Sequence, residues 1–218
     1  MTAAVDNANV ASNTAVGGTT ISVSATCGAS DNFLLAVYGG YAAPLDIPSS
    51  ITYNGVGMTH FATDASDAST TTCCYFYMIN PPTGSSLVLL ATAANSVVSS
   101  ALVAIPMSGV NTGSPVGTGA AATANDANPA VTPTGGAASD LYIGAVMTQA
   151  VTSVTPSGSQ TGIVNLNAIH SAASFAVGSL PGSGSGAFTW TMSSTLWVAL
   201  GVAIQGSVNS ASIAWVKA

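Results

Sequence analysis

Large apolar residues and small or polar residues alternate along much of the chain, with a period of two. In residues 196–204 every second position, from Leu196 to Ile204, is large and apolar, and the positions between hold Trp197 or a small residue. A period of two is typical of β-strands, because successive side chains point to opposite faces. We expect this strand to have one bulky face and one flat face.

Residues 72–79 (TCCYFYMI) are apolar on both faces, which predicts a central strand that is covered on both sides. The pair Asn54-Gly55 predicts a type I′ hairpin, and residues 81–84 and 181–186 have the composition of further turns. No segment has the caps and the charged outer face of a surface helix. The pattern predicts roughly twelve short strands and an all-β fold, a β-sandwich or jelly roll.

Two segments of the chain look like copies of each other. Residues 23–37 read VSATCGASDNFLLAV and residues 131–146 read VTPTGGAASDLYIGAV. A second pair, ALVAI at 101–105 and LGVAI at 200–204, follows in the same order. We therefore predict a sandwich built from two duplicated halves, in which the strands beginning at Phe33 and Tyr142 occupy equivalent places.

The repeat divides the chain into five parts. These are an N-terminal arm (1–16), a first β-sandwich half (17–110), a linker or loop (111–128), a second half (129–208) and a C-terminal strand or arm (209–218). The linker is rich in Gly, Ala, Thr and Asn and has few large apolar residues. One sandwich and two sandwiches both fit the pattern, and the short junction favours a single compact body.

Four motifs carry a resemblance to a known family. They are SITYNGVGMT at 50–59, NPPTG at 80–84, SGV at 108–110 and SDLYIG at 139–144. The chain resembles a β-sandwich family of tailed-phage virion structural proteins and bacterial surface proteins, over most of residues 20–208. The resemblance implies a non-enzymatic building block of a virion or a cell surface. Residues 1–7 show neither a basic nor an apolar signal region, so we expect a virion protein assembled in the host cytoplasm.

Charged residues make up 4% of the 218 residues, and the net charge is -6. The acidic residues are all Asp, and Lys217 is the one basic residue. Nucleic-acid binding needs cationic side chains to neutralise phosphates, so we exclude it as a function. Residues 87–107 are largely apolar, but serines interrupt them and no cation flanks them, so we expect no membrane span.

The cysteines do not suggest a disulfide framework or a metal site. Cys27, Cys73 and Cys74 are odd in number, and neighbouring residues on a strand point to opposite faces. We therefore expect three buried, reduced thiols that act as small apolar side chains.

The remaining chemistry-bearing residues form no recognisable motif. His60 and His170 lack the spacing of zinc ligands, and no GxSxG turn accompanies the Ser-His-Asp sets that Asp64 or Asp140 could complete on paper. Asp64 and Asp67 share a loop, but calcium sites need more oxygen ligands and the EF-hand spacing is missing. We expect a protein that is not an enzyme, with no catalytic residue, cofactor or metal site.

Composition favours association with other proteins. With few charges to keep copies apart, a flat strand face such as Ala199, Gly201 and Ala203 can approach a neighbouring subunit closely. Our leading hypothesis is a phage virion structural protein that decorates or cements the capsid exterior, with a tail location as a variant. Its partners would be copies of itself and a major capsid or tail protein.

The C-terminal segment supplies the candidate interface residues, namely Ile213, Trp215 and Val216. Burying such side chains would close a sheet edge of the same subunit or add a strand to a neighbour's sheet. The alternative function is a carbohydrate-binding or adhesive module of a tail fibre or bacterial surface. In that case Tyr38, Tyr41 or Trp190 would stack on sugars.

Overall fold

The computed structural model describes residues 1–182 and 184–207, and these residues form β-strands, turns and loops without a helix. The strands of the first half and its arm are β1 (Ala4–Val5), β2 (Ala11–Val16), β3 (Thr20–Cys27), β4 (Asp31–Tyr41), β5 (Ser50–Tyr53), β6 (Val56–Gly57), β7 (Thr59–His60), β8 (Ala65–Ser66), β9 (Thr71–Ile79), β10 (Gly84–Thr92) and β11 (Ser99–Ser108). Those of the linker and the second half are β12 (Ala120–Asp126), β13 (Ala130–Val131), β14 (Thr134–Gly136), β15 (Leu141–Thr148), β16 (Thr155–Ser157), β17 (Thr161–Ile169), β18 (Ala173–Pro181), β19 (Gly184–Ser185), β20 (Phe188–Thr191) and β21 (Thr195–Ile204). The all-β prediction is confirmed.

Four antiparallel sheets are stacked face to face. The first outer sheet has the order β3-β10-β5-β6, and the first inner sheet has the order β1-β11-β4-β9-β7, with β2 on β11 and β8 on β9. The second inner sheet has the order β12-β21-β15-β18-β17, and the second outer sheet has the order β13-β20-β16. Strands β14 and β19 form a separate ribbon. This stack is a sandwich architecture, whereas the jelly roll stays a prediction.

Three apolar cores fill the spaces between the four sheets. The central core lies between the two inner sheets, and each outer sheet covers a core of its own. Strand β9 shows the consequence, because Cys73 and Tyr75 lie in the central core while Cys74 and Phe76 lie in the first outer core. The expectation of a central strand covered on both sides is confirmed.

Corresponding strands have the same order in the two inner sheets, β2-β11-β4-β9 in one and β12-β21-β15-β18 in the other. The strand that contains Phe33 therefore holds the same place as the strand that contains Tyr142. The second pair of similar segments also agrees, since Val103 and Ile105 share the central core with Val202 and Ile204. The duplication itself stays a prediction that this strand order supports.

The two similar strands differ in which side chains face which core. Phe33 lies in the central core, whereas Tyr142 lies in the second outer core. The cause is a β-bulge at Asn32, because Ser108 pairs with Asp31 and the next residue, Met107, pairs with Phe33. One extra residue in a strand turns the following side chains to the opposite face. The pairing of β15 with β21 has no such shift.

The expected linker and arm contain strands. Within residues 111–128, strand β12 pairs with β21, and Val116 forms a bridge to Ile204. Its alanines are small enough to pack as an edge strand, so the lack of large apolar residues concealed it. In the N-terminal arm, β1 and β2 both pair with β11. Residues 87–107 form most of β10 and β11, and the described residues include no helix that could cross a membrane.

The two halves form one body through the central core. The Cβ that an alanine would place at Gly39, in the first half, would lie 2.6 Å from the ring of Phe175 in the second half. Main-chain hydrogen bonds also cross between the halves, for example from the Ser207 N–H to the Gly109 carbonyl. A single compact body is therefore what the structure shows.

Candidate functional surface

The outward face of the first outer sheet carries no charge. It comprises short polar and apolar residues in register on neighbouring strands, namely Thr20, Ser22, Ser24, Thr52, Gly57, Val88 and Leu90. Strands β3, β5, β6 and β10 contain no Asp, Glu, Lys, Arg or His. Val88, near the middle of this face, is 50% exposed. We call these seven residues the outer face.

Alternation along β3 explains how the sequence builds this face. Ile21, Val23 and Ala25 point into the first outer core, so the residues between them point outward.

At the opposite side of the sheet, Asn54 and Gly55 have positive φ values of 49° and 78°, which confirms the predicted hairpin between β5 and β6.

The open edge of β3 is partly closed by a side chain. The Asn13 side-chain amide donates a hydrogen bond of 2.7 Å to the main-chain carbonyl of Ser22. Occupying a main-chain acceptor reduces the ability of an edge strand to pair with another chain.

The aspartates lie outside the outer face and accept hydrogen bonds from other residues of the chain. Each of the seven accepts at least one hydrogen bond from a nearby residue: Asp6 from Asn9, Asp31 from Gly28, Asp46 from Asn95, Asp64 from His60, Asp67 from Thr70, Asp126 from Trp197, and Asp140 from Ala137. The carboxylates thus fix turns and loops. None of them lies on the outer face, which presents hydroxyl groups, methyl groups and main chain.

Asp67 illustrates this use of a carboxylate. It accepts hydrogen bonds from the main-chain N–H groups of Ser69, Thr70 and Thr71 and from the hydroxyls of Ser69 and Thr70. Burial would raise the pKa of Asp67, but these hydrogen bonds outweigh it and lower the pKa to about 2. Asp64, on the same loop, bonds to His60 instead. Asp64 and Asp67, the two carboxylates considered for calcium, therefore form hydrogen bonds with different partners.

The flat strand face that we expected at a subunit contact lies inside the protein. Ala199 and Ala203 are buried in the core beneath the second outer sheet. An added Cβ at Gly201 would lie 2.8 Å from the ring of Pro133. The expectation is wrong, because these small residues allow the chain's own elements to approach β21 closely.

The aromatic residues considered for sugar binding are also placed differently. Tyr38 and Trp190 are each 1% exposed, since both point inward from their strands into the outer cores. Tyr41 is half-buried against the central core. Tyr38 and Trp190 therefore cannot offer a stacking surface to a sugar. The proposed interface residues Ile213, Trp215 and Val216 lie outside the described residues.

The cysteines are buried free thiols, as the sequence predicts. Burial raises the pKa of all three thiols. His170 is exposed in a turn, whereas His60 stacks on Phe76 with ring centroids 4.4 Å apart and lies beside Asp64 and Cys74. Strand pairing brings His60, Asp64 and Cys74 together, and their spacing in the sequence does not reveal this proximity.

Comparisons with protein families, with curated proteins and with solved structures find nothing that matches this chain.

Proposed function

We propose that this chain is a phage virion structural protein that decorates or cements the exterior of the capsid. The observation that carries the proposal is the outer face, an uncharged sheet surface on a body whose aspartates accept hydrogen bonds from other residues of the chain. The family resemblance of the sequence motifs points in the same direction.

An uncharged face suits a contact that is repeated many times on a lattice. Burying a charged side chain at an interface costs desolvation free energy, whereas hydroxyl and methyl groups are removed from water at lower cost. Val88 and Leu90 supply apolar area at the middle of the face, and the serines and threonines around them supply hydrogen-bonding groups. Such a composition resembles the apolar centre and polar rim of protein interfaces.

The partners in this proposal are a major capsid or tail protein and copies of the chain itself. Weak contacts that occur together in a symmetric array give firm attachment, because the second contact becomes intramolecular. A stack of four sheets offers a rigid support for such contacts. The net charge of -6 makes the viral nucleic acid an unsuitable partner.

The experiment is a binding assay with capsids assembled from a genome in which the gene is deleted. Ser24→Asp places a charge beside Val88 on the outer face, while Thr191→Asp places the same charge at an exposed position of the second outer sheet. We expect Ser24→Asp to weaken capsid binding about tenfold or more, which corresponds to about 1.4 kcal/mol. Thr191→Asp should bind as the unchanged protein does. Equal binding by both variants would contradict a role of the outer face.

A further inference from the structure

At one edge of the first inner sheet, three side chains with metal-binding atoms meet. Strand β7 pairs with β9 so that His60 lies opposite Phe76, and Cys74 is two residues away on the same face. The loop between β7 and β8 brings Asp64 to the same place. One ligand atom from each of His60, Asp64 and Cys74 lies within 4.8 Å of the other two.

Contacts with neighbouring groups already hold these three side chains partly in place. The His60 Nε2 atom lies 3.0 Å from Asp64 Oδ1, and the imidazole ring is stacked on Phe76 at an interplanar angle of 26°. The Cys74 side chain is fully buried in a regular strand. Ligands that are already held in place lose little conformational entropy when an ion binds. In a tetrahedral zinc site, with Zn–S of about 2.3 Å and Zn–N of about 2.0 Å, the ligand atoms lie about 3.5 Å from one another. The atoms of this cluster lie within 4.8 Å of one another, so modest side-chain movements bring them to one ion.

We propose that His60, Asp64 and Cys74 form a binding site for one Zn²⁺ ion, with the fourth position open to solvent. A thiolate, an imidazole and a carboxylate together suit zinc better than magnesium or calcium, which prefer oxygen ligands alone. The side chain of His60 is 40% exposed and that of Asp64 is 21% exposed, so an ion reaches the site from the surface while Cys74 approaches it from the core.

Binding is accompanied by defined proton movements. The Cys74 thiol releases its proton to solvent and binds the ion as a thiolate. His60 binds through Nε2, so the hydrogen that Nε2 now donates to Asp64 is released to solvent while Nδ1 takes up a hydrogen from solvent, and the ion replaces the hydrogen bond between the ring and Asp64. Water completes the tetrahedral coordination. No oxidation or reduction is involved.

The chain offers matched controls for each ligand. Cys73 is as fully buried as Cys74 and lies beside it on β9, but its side chain points into the central core. His170 is the other histidine and is exposed in a turn, where its φ of 46° is one that asparagine adopts readily. Cys73→Ala and His170→Asn therefore change the same residue types away from the site.

The test is titration of the metal-free, reduced full-length protein with Zn²⁺ by calorimetry and with Co²⁺ by absorption spectroscopy. We expect one ion per chain and a sulfur-to-cobalt charge-transfer band. His60→Gln and Asp64→Asn should weaken zinc binding at least tenfold, and Cys74→Ala should also abolish the band. Cys73→Ala and His170→Asn should leave affinity and spectrum unchanged.

The proposal is overturned if the unchanged protein binds no stoichiometric zinc, or if the band persists in Cys74→Ala. It is also overturned if His60→Gln, whose altered residue is at the surface, binds zinc as tightly as the unchanged protein. None of these three results bears on the proposed capsid attachment, which depends on the outer face.

Discussion

The phenolic hydroxyl of Tyr75, in the first half of the chain, donates a hydrogen bond of 2.8 Å to the main-chain carbonyl oxygen of Leu200 in the second half. Tyr75 is completely buried in the central core. A buried hydrogen bond between the two inner sheets fixes their relative position as well as stabilising them, because its geometry is directional.

The first prediction concerns this contact. Tyr75→Phe removes the hydroxyl and should lower the free energy of unfolding by about 1 kcal/mol, with a single cooperative transition retained. Tyr53→Phe is the control, since the Tyr53 hydroxyl is buried and its one neighbouring hydrogen-bonding group among the described residues is the Cys27 thiol, a weak partner. That variant should be neutral or slightly stabilising in urea denaturation. An equal loss in both variants would show that the bond to Leu200 does not join the halves.

The second prediction compares two aspartates at similar turns. Asp140 accepts hydrogen bonds from the main-chain N–H groups of Ala137 and Gly206, through different oxygens. Asp31 accepts one from Gly28, and its other oxygen is buried without a partner in the described part of the chain. Asp140→Asn replaces one acceptor oxygen by an NH₂ group and should destabilise by about 1–3 kcal/mol.

Asp31→Asn should instead leave stability unchanged or raise it at neutral pH. Burial raises the pKa of Asp31, and the nearby charge of Asp6 adds to the effect. A raised pKa in the folded state means that stability decreases as pH rises through that pKa. The amide cannot ionise, so the variant lacks this decrease. Thermal unfolding of both variants at pH 7 checks the prediction, and a larger loss for Asp31→Asn than for Asp140→Asn would refute it.

The third prediction concerns Asp67, whose pKa is lowered to about 2. A lowered pKa in the folded state means that the stabilisation is present above the unfolded value of about 4 and is lost as pH falls toward 2. Asp67→Asn should therefore be less stable than the unchanged protein at pH 6, by on the order of 1 kcal/mol because solvent screens a half-buried group. The difference should shrink at pH 2. A difference independent of pH would argue against ionisation as its source.

The fold class could be predicted from the sequence because neighbouring residues of the long strands alternate between two faces, and the sequence shows this alternation. In β21, Val198, Leu200 and Val202 point into one core and Ala199 and Ala203 into another. What alternation could not show was which face meets solvent, since both faces of an inner strand are buried. That is why the flat face of β21 was mistaken for an outer surface, and why Tyr38 and Trp190 were mistaken for exposed rings.

Local pattern also could not show features that depend on pairing between strands. The bulge at Asn32 is visible only in the register of β4 against β11, and it decides that Phe33 and Tyr142 face different cores. The proximity of His60 and Cys74 arises in the same way, from the pairing of β7 with β9. The outer face, in contrast, could have been found from the sequence, because β3 alternates cleanly between apolar residues and Ser or Thr.

The proposed function requires that this chain be attached to the outside of a capsid through its outer face. The most direct measurement is cryo-electron microscopy of the native particle, with the four-sheet body fitted into the reconstruction. We predict repeated density on the capsid exterior that fits this body, with Ser24 and Val88 directed toward the shell. Particles without such density, or density in which the outer face points to solvent and touches nothing, would show that the proposed function is wrong.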